Sequence, residues 1–150
     1  MQFEEVIEIV SELFRISQWS ANEYGERYAI LDNDIEIRTF PEGSNVLVLQ
    51  GMFGEPISGY SQMNTNESKF KYLLQANFMR IIQQNDVLSI DGQSDRLCVT
   101  RRVVIGNITA ENLLNEVEDF VQNVDFWDVI ARKKRASSTM SPLLGLFNRR

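Results

Sequence analysis

The sequence predicts an α+β domain in which helices pack on a twisted antiparallel sheet, in the order α-β-β-β-α-β-β-α. Three segments near residues 2–17, 67–83 and 110–131 repeat apolar residues every three or four positions, which is typical of helices. Short segments rich in β-branched residues and bounded by turn residues lie between them, which is typical of strands. Groups of strands flanked by helices favour an α+β domain, and 150 residues suit a single one.

The first helix is predicted over residues 2–17. It has one apolar side, and Ile9 and Ile16 widen that side beyond its main stripe. Glutamates in its first turns suit the positive end of the helix dipole. The main stripe consists of Phe3, Val6, Ile7, Val10, Leu13 and Phe14.

Three strands are predicted next, at residues 28–31, 35–40 and 45–53. In the second strand, Ile37 and Phe40 lie on opposite faces because side chains alternate along a strand. The third strand, NVLVLQGMF, includes Leu49 and is the most apolar, so we expect it at the centre of the sheet. Residues 54–66 contain many loop-forming residues and are predicted to connect this strand to the second helix.

The second helix is predicted over residues 67–83 and contains the segment KYLLQANFMRII. Apolar residues occupy two of its sides, although a surface helix needs one apolar side to cover its own core. The second side therefore indicates contact with another chain. One side carries Leu73, Leu74, Phe78 and Ile81, and the other carries Tyr72, Ala76 and Met79.

A hairpin and a long helix complete the predicted domain. The strands at residues 87–90 and 96–104 are separated by Asp91-Gly92, a pair typical of hairpin turns. Thr109 is placed to cap a helix over residues 110–131. The apolar stripe of this helix consists of Leu113, Val117, Phe120, Val121, Val124 and Trp127.

Charge divides the chain into two parts. The net charge is −6, yet residues 132–150 contain six Lys or Arg and no Asp or Glu. We therefore expect a compact acidic domain over residues 1–131 and a basic, flexible tail over residues 132–150. An acidic domain repels nucleic acid, so none is expected as a partner. Apolar residues in the tail indicate docking on this domain or on a partner; they are Leu143, Leu144, Leu146 and Phe147.

The residue types present argue against catalysis and metal binding. The chain has no histidine and one cysteine, Cys98, so His-based triads and His-containing metal sites are excluded. Asp32, Asp34 and Glu36 can share a strand face, but such a short acidic group is more typical of a solvated turn than of a metal site. No carboxylate pair suggests a hydrolase. We predict no enzyme, cofactor or metal.

Two absences bear on location. No apolar run is long enough to span a membrane, and the acidic N-terminus does not resemble a signal peptide. A single cysteine also fits a reducing compartment. We therefore expect a cytoplasmic protein without membrane insertion.

Three blocks of the sequence resemble class I type III secretion chaperones, the CesT-like or Tir-chaperone family. They are NVLVLQGMFGEP, LLQANFMRIIQQNDVLSID and RLCVTRRVVIGNITAENLLNEVEDFVQNVDFW, and together they cover most of residues 45–130. The resemblance implies a non-enzymatic homodimer in the bacterial cytoplasm. It further implies binding of an extended N-terminal segment of a type III secreted effector, which stays soluble and competent for secretion.

The resemblance also implies where contacts occur. The second helix is expected to form the dimer interface, through either of its two sides, and Asn77 matches the asparagine of the family's second-helix motif. The first helix and the sheet are expected to hold the effector. The interface residues are Tyr72, Leu73, Ala76, Asn77, Phe78, Met79 and Ile81; the effector-binding residues are Ile9, Leu13, Ile16, Ile37, Phe40 and Leu49.

The basic tail departs from the family pattern and leaves an alternative. A chaperone-like protein of the YbjN-like group, unrelated to secretion, shares this fold class. Such a protein could serve as an assembly adaptor in which the tail itself is the ligand for a partner.

Overall fold

The computed structural model describes residues 1–31, 34–57, 60–81 and 85–132, and for residues 60–70 it describes the backbone. Within these residues the predicted fold class is confirmed, with one additional short strand. The helices are α1 (Phe3–Phe14), α2 (Tyr60–Ile81) and α3 (Ala110–Arg132). The strands are β1 (Ser20–Ala21), β2 (Arg27–Ile30), β3 (Glu36–Glu42), β4 (Val46–Phe53), β5 (Asp86–Ile90) and β6 (Leu97–Val104).

The six strands form one antiparallel sheet in the order β1-β2-β3-β4-β6-β5. The apolar β4 lies between β3 and β6, so its predicted central position is confirmed. β5 and β6 form the predicted hairpin, and α2 connects β4 to β5. The sheet therefore has one edge at β1 and β2 and the other at β5.

The core lies on the face of the sheet covered by α1 and α3. The predicted stripe of α3 is confirmed, since Phe120 and Trp127 are completely or almost completely buried. Thr109 caps α3 by accepting a hydrogen bond from the amide of Asn112 at 3.2 Å. Gly51 of β4 allows α3 to come close, because a Cβ atom there would lie 2.7 Å from a methyl group of Val124.

The two other helices differ from their predicted limits. α1 ends at Phe14, three residues early, because Arg15 adopts a left-handed conformation with φ of 55° and its amide returns to the carbonyl of Glu12. α2 begins at Tyr60, so much of the loop predicted over residues 54–66 is helical. Residues 60–66 are mostly polar and lack apolar periodicity, which is the signal that the prediction used.

The opposite face of the sheet carries polar contacts above a small buried layer. Arg38 forms ion pairs with Glu36 and Asp91, and Arg96 pairs with Glu36. Cys98 lies on this face and is buried, and burial raises the pKa of its thiol. A reactive cysteine needs a lowered pKa, so this environment is that of a structural thiol.

Candidate interaction surfaces

A side chain of α2 caps the β5 edge of the sheet at Leu88. The amide nitrogen of Asn77 donates to the carbonyl of Leu88 at 3.0 Å, and the amide of Leu88 donates back to Oδ1 of Asn77 at 2.9 Å. The carboxamide thus takes the place that the backbone of a neighbouring strand would occupy. Leu73 and Ala76 are buried on the same side of α2. This side therefore packs on the chain's own sheet.

The other side of α2 is exposed. Leu74 and Phe78 are each 67 % exposed, and Ile81 is also largely exposed. We call these three residues the α2 face. Tyr72 and Met79 are half-buried. Val87 and Ile90 of the neighbouring β5 are also exposed. The apolar group Leu73, Leu74, Phe78 and Ile81 is therefore divided between core and surface.

A buried polar network fixes the hairpin against α3. Arg101 of β6 is 2 % exposed and forms a two-pronged contact with Asp86 of β5. A guanidinium nitrogen also donates to Asp119 of α3 at 2.7 Å. Burial works against the charge of Arg101, but hydrogen bonds to the two aspartates outweigh it and raise its pKa. The guanidinium of Arg101 therefore stays protonated throughout the ordinary pH range.

Arg80 extends this network to α2. It donates to Oδ1 of Asn123 at 2.5 Å, and Asn123 in turn donates to Asp86. The guanidinium of Arg80 also lies 4.0 Å from the centre of the Phe126 ring, within the range of a cation–π contact. The network joins α2, α3 and β5, and it holds the α2 face in a fixed orientation to the sheet.

A groove of about 750 Å³ lies at the opposite edge of the sheet, between the end of α1 and β2. We call it the β2 groove. Ile30 in its wall is 70 % exposed, so the groove presents apolar surface to solvent. The apolar and aromatic residues of its wall include Leu13, Phe14, Ile16, Tyr28, Ile30 and Leu31.

The backbone of β2 is open beside this groove. The two residues of β1 pair with Arg27 and Tyr28, so Ile30 lies beyond the end of that pairing. The amide of Leu31 donates to the carbonyl of Ile35 at the turn to β3. Because hydrogen-bonding directions alternate along an antiparallel strand, the N–H and C=O of Ile30 point away from β3, toward the open edge.

The predicted effector-binding residues occupy different environments. Leu13 and Ile16 line the β2 groove, and Ile9 is half-buried on α1. Phe40 is half-buried on the face away from the helices. Ile37 and Leu49, by contrast, are completely buried in the core.

The assignment of Ile37 and Leu49 to a partner surface therefore requires correction. Both side chains lie on the sheet face that α1 and α3 cover, and a partner could reach them only by displacing a helix. Strand periodicity groups residues by face but does not reveal which face is covered. The same limitation explains why sequence analysis missed Ile30, which pairs with Glu36 and therefore lies on the sheet face that the helices leave uncovered.

Other predicted features lie partly outside the described residues. Arg132 is the last residue of α3, whereas Leu143, Leu144, Leu146 and Phe147 of the tail lie outside them, as does Asp32. Within the described part of the chain, no group of three acidic or cysteine residues could hold a metal ion. The described helices include none long and apolar enough to cross a membrane.

Comparison with known proteins identifies one family and several solved structures with a similar fold. The model of the Tir chaperone protein (CesT) family matches residues 21–128. No curated protein matches the chain. Among solved structures, it is similar to a chain of the HopA1–SchA chaperone–effector complex, with 14 % identity, a TM-score of 0.57 and coverage of 84 % of this chain and 92 % of that one. A chain of the ExsC–ExsE complex shows 14 % identity and a TM-score of 0.54, with coverage of 92 % and 100 %.

Proposed function

Because the chain belongs to the Tir chaperone protein (CesT) family, we propose that it is a type III secretion chaperone that binds an extended N-terminal segment of a secreted effector. The single observation that carries this proposal is the β2 groove, where exposed apolar side chains lie next to the open backbone of Ile30. An extended peptide needs both features, since backbone hydrogen bonds provide affinity and side-chain pockets provide specificity.

In the proposed complex, the effector segment adds as a strand beside Ile30 and places its apolar side chains in the groove. Each side chain of Leu or Phe size that is fully buried contributes about 1.5–3 kcal/mol. Such binding needs neither ATP nor a covalent step, so the proposed chaperone is not an enzyme. It would keep an aggregation-prone segment soluble in the bacterial cytoplasm until secretion.

We further propose that two copies of the chain associate through the α2 face. Leu73, Ala76 and Asn77 are occupied by contacts with the chain's own sheet, which leaves the opposite side for a partner. Phe78 and its exposed apolar neighbours form a continuous stripe at helical spacing, and aromatic residues are enriched in interface centres. The proposed face keeps Leu74, Phe78 and Ile81 of one predicted side, whereas Leu73 of that side is buried in the core.

The effector-binding proposal is tested by co-purification from bacteria that assemble a type III secretion system. Tagged full-length chain is purified, and any bound protein is examined by limited proteolysis and mass spectrometry. We expect protection of an extended N-terminal segment of the bound protein. We also expect the Ile30→Asp variant to lose that protein, because a carboxylate in the groove wall disfavours apolar docking.

Val104→Asp is the matched control. Val104 is also 70 % exposed on an outward-facing strand position, but it lies on β6 and is not part of the groove wall. This variant should retain the bound protein. Binding that survives Ile30→Asp, or protection limited to a folded domain of the bound protein, would contradict the proposal.

A further inference from the structure

We infer that the apolar segment PLLGLF, residues 142–147 of this same chain, occupies the β2 groove when no partner is bound. The tail would then compete with an effector segment for the groove, and the effector segment would have to displace it. This inference rests on the proposed function, because it assigns a second occupant to the same groove.

The first argument is the position at which α3 ends. The N-terminal amine of Met1 donates to the carbonyls of Ile105 and Gly106, so α1 and α3 begin at the same end of the molecule. Val124 of α3 lies beside Gly51 of β4, and Gly51 pairs with Ile37 of β3, so the last turns of α3 run toward the end of the sheet that carries the turn between β2 and β3. The end of α1 and Leu31 at that turn both line the β2 groove, so α3 ends on the groove side of the molecule.

Electrostatic contacts of Arg132 agree with this position. A hydrogen bond to Asp128 is the main reason that the pKa of Arg132 is raised, and the carboxylate of Asp34 adds to the effect. The amide of Asp34 donates to the carbonyl of Leu31 at 3.0 Å, and Leu31 lies in the groove wall. Arg132, the last described residue of α3, thus lies on the same side of the molecule as the groove.

The second argument is length. Nine residues, 133–141, separate Arg132 from the start of the apolar segment at Pro142. For the ten Cα–Cα steps from Arg132 to Pro142, a random chain has an average end-to-end distance of about 16–19 Å and a maximal extension of roughly 35 Å. This reach exceeds the dimensions of a 750 Å³ groove. Tethering at this distance gives an effective concentration on the order of millimolar, so even weak intrinsic binding would fill the groove.

The third argument is chemical complementarity. The segment offers Leu and Phe side chains to a groove whose wall contains Leu, Ile, Phe and Tyr. The sequence RKKR at residues 132–135 precedes it, whereas residues 1–131 contain nine basic and twenty-one acidic groups. Attraction between the basic stretch and the acidic domain would hold the tail against the surface and favour docking over release.

The test uses full-length protein and a fluorescein-labelled synthetic peptide of residues 139–150 as the probe. In the tail variant, the four apolar residues are replaced together: Leu143→Ser, Leu144→Ser, Leu146→Ser and Phe147→Ser. Binding is followed by fluorescence anisotropy. We expect the probe to bind the tail variant at least about tenfold more tightly than the wild-type chain, in which the tethered tail competes.

Two additional variants locate the binding site. Adding Ile30→Asp to the tail variant should abolish probe binding, whereas adding Val104→Asp should leave it unchanged. A second readout is hydrogen exchange by NMR, in which the amide of Ile30 should exchange more slowly in the wild-type chain than in the tail variant. Equal probe affinity for wild-type chain and tail variant, no binding to either, or binding insensitive to Ile30→Asp would overturn the inference.

These outcomes remain separable from those of the proposed function. If the probe fails to bind but Ile30→Asp still releases a co-purified effector, the chaperone proposal stands and the docking of the tail in the β2 groove is rejected. If instead the four serine substitutions release a co-purified protein that Ile30→Asp retains, the tail is the ligand for an external partner. That result would also overturn the inference and would support an adaptor.

Discussion

The two edges of the sheet present unpaired strand backbone in opposite ways. At β5, the side chain of Asn77 forms both available hydrogen bonds with Leu88. At β2, the pairing with the short β1 stops at Tyr28. The backbone of Ile30, two residues further along, faces the β2 groove. Exposed strand edges invite pairing with other chains, and proteins usually cover them. Here one edge is capped at Leu88 within the chain, whereas the backbone of Ile30 at the other edge is left available to a second chain.

This difference matches the partners proposed for each edge. The closed edge carries α2 on its outside, and the network through Arg80 and Asn123 fixes that helix. A fixed helical surface suits association with an identical copy, whose interface must be self-complementary. The open edge suits an extended segment, which supplies the missing strand itself.

The largest expected effect comes from breaking the buried network beside the closed edge. Arg101→Met should destabilise the fold by about 3–5 kcal/mol, because the buried carboxylate of Asp86 loses its ionic partner. Urea unfolding at a fixed protein concentration measures the change. Arg102→Met is the matched control, since Arg102 is exposed and pairs with Glu42 at the surface. Its effect should stay within about 1 kcal/mol, and equal effects of the two substitutions would contradict the role given to the network.

A smaller effect is expected from opening the closed edge. Asn77→Ala should cost about 1–3 kcal/mol, because the amide and carbonyl of Leu88 would lose their partners. Hydrogen exchange at the amide of Leu88 should accelerate with the loss of stability. Gln75→Ala, at an exposed position of the same helix, should change neither quantity appreciably. Unchanged exchange at Leu88 in Asn77→Ala would show that the carboxamide is not needed to close this edge.

The smallest effect on folding, but a large one on association, is expected at the α2 face. Phe78→Asp should leave the monomer folded, because Phe78 is mostly exposed, and should convert a dimer to a monomer in sedimentation velocity. Val129→Asp alters an exposed apolar residue on α3 and should leave the dimer intact. A wild-type chain that sediments as a monomer at tens of micromolar would already reject the proposed dimer.

Much of the fold could be predicted because its signals are local. The stripe of α3, the cap at Thr109 and the central position of β4 each follow from residues close together in the chain. The buried ion pair could not be predicted, because Arg101 and Asp86 are charged residues and local patterns place charged residues at the surface. Only the register between β5 and β6 places them opposite each other.

The interaction surfaces were only partly predictable for the same reason. Leu13 and Ile16 were expected to contact a partner and do line the groove. Asn77 was singled out through the family resemblance as an interface residue, but its observed contacts are with Leu88 of its own sheet. Deciding which apolar residues are buried requires the three-dimensional packing of both α2 and the sheet, and no local pattern contains that information.

The division of roles between the two edges is tested most directly by native mass spectrometry of the chain purified with its bound partner. The account predicts two copies of the chain with bound effector for the wild type. It predicts a single copy that still carries effector for Phe78→Asp, and two copies without effector for Ile30→Asp. Loss of effector with retention of two copies in Phe78→Asp, or full effector occupancy in Ile30→Asp, would contradict it.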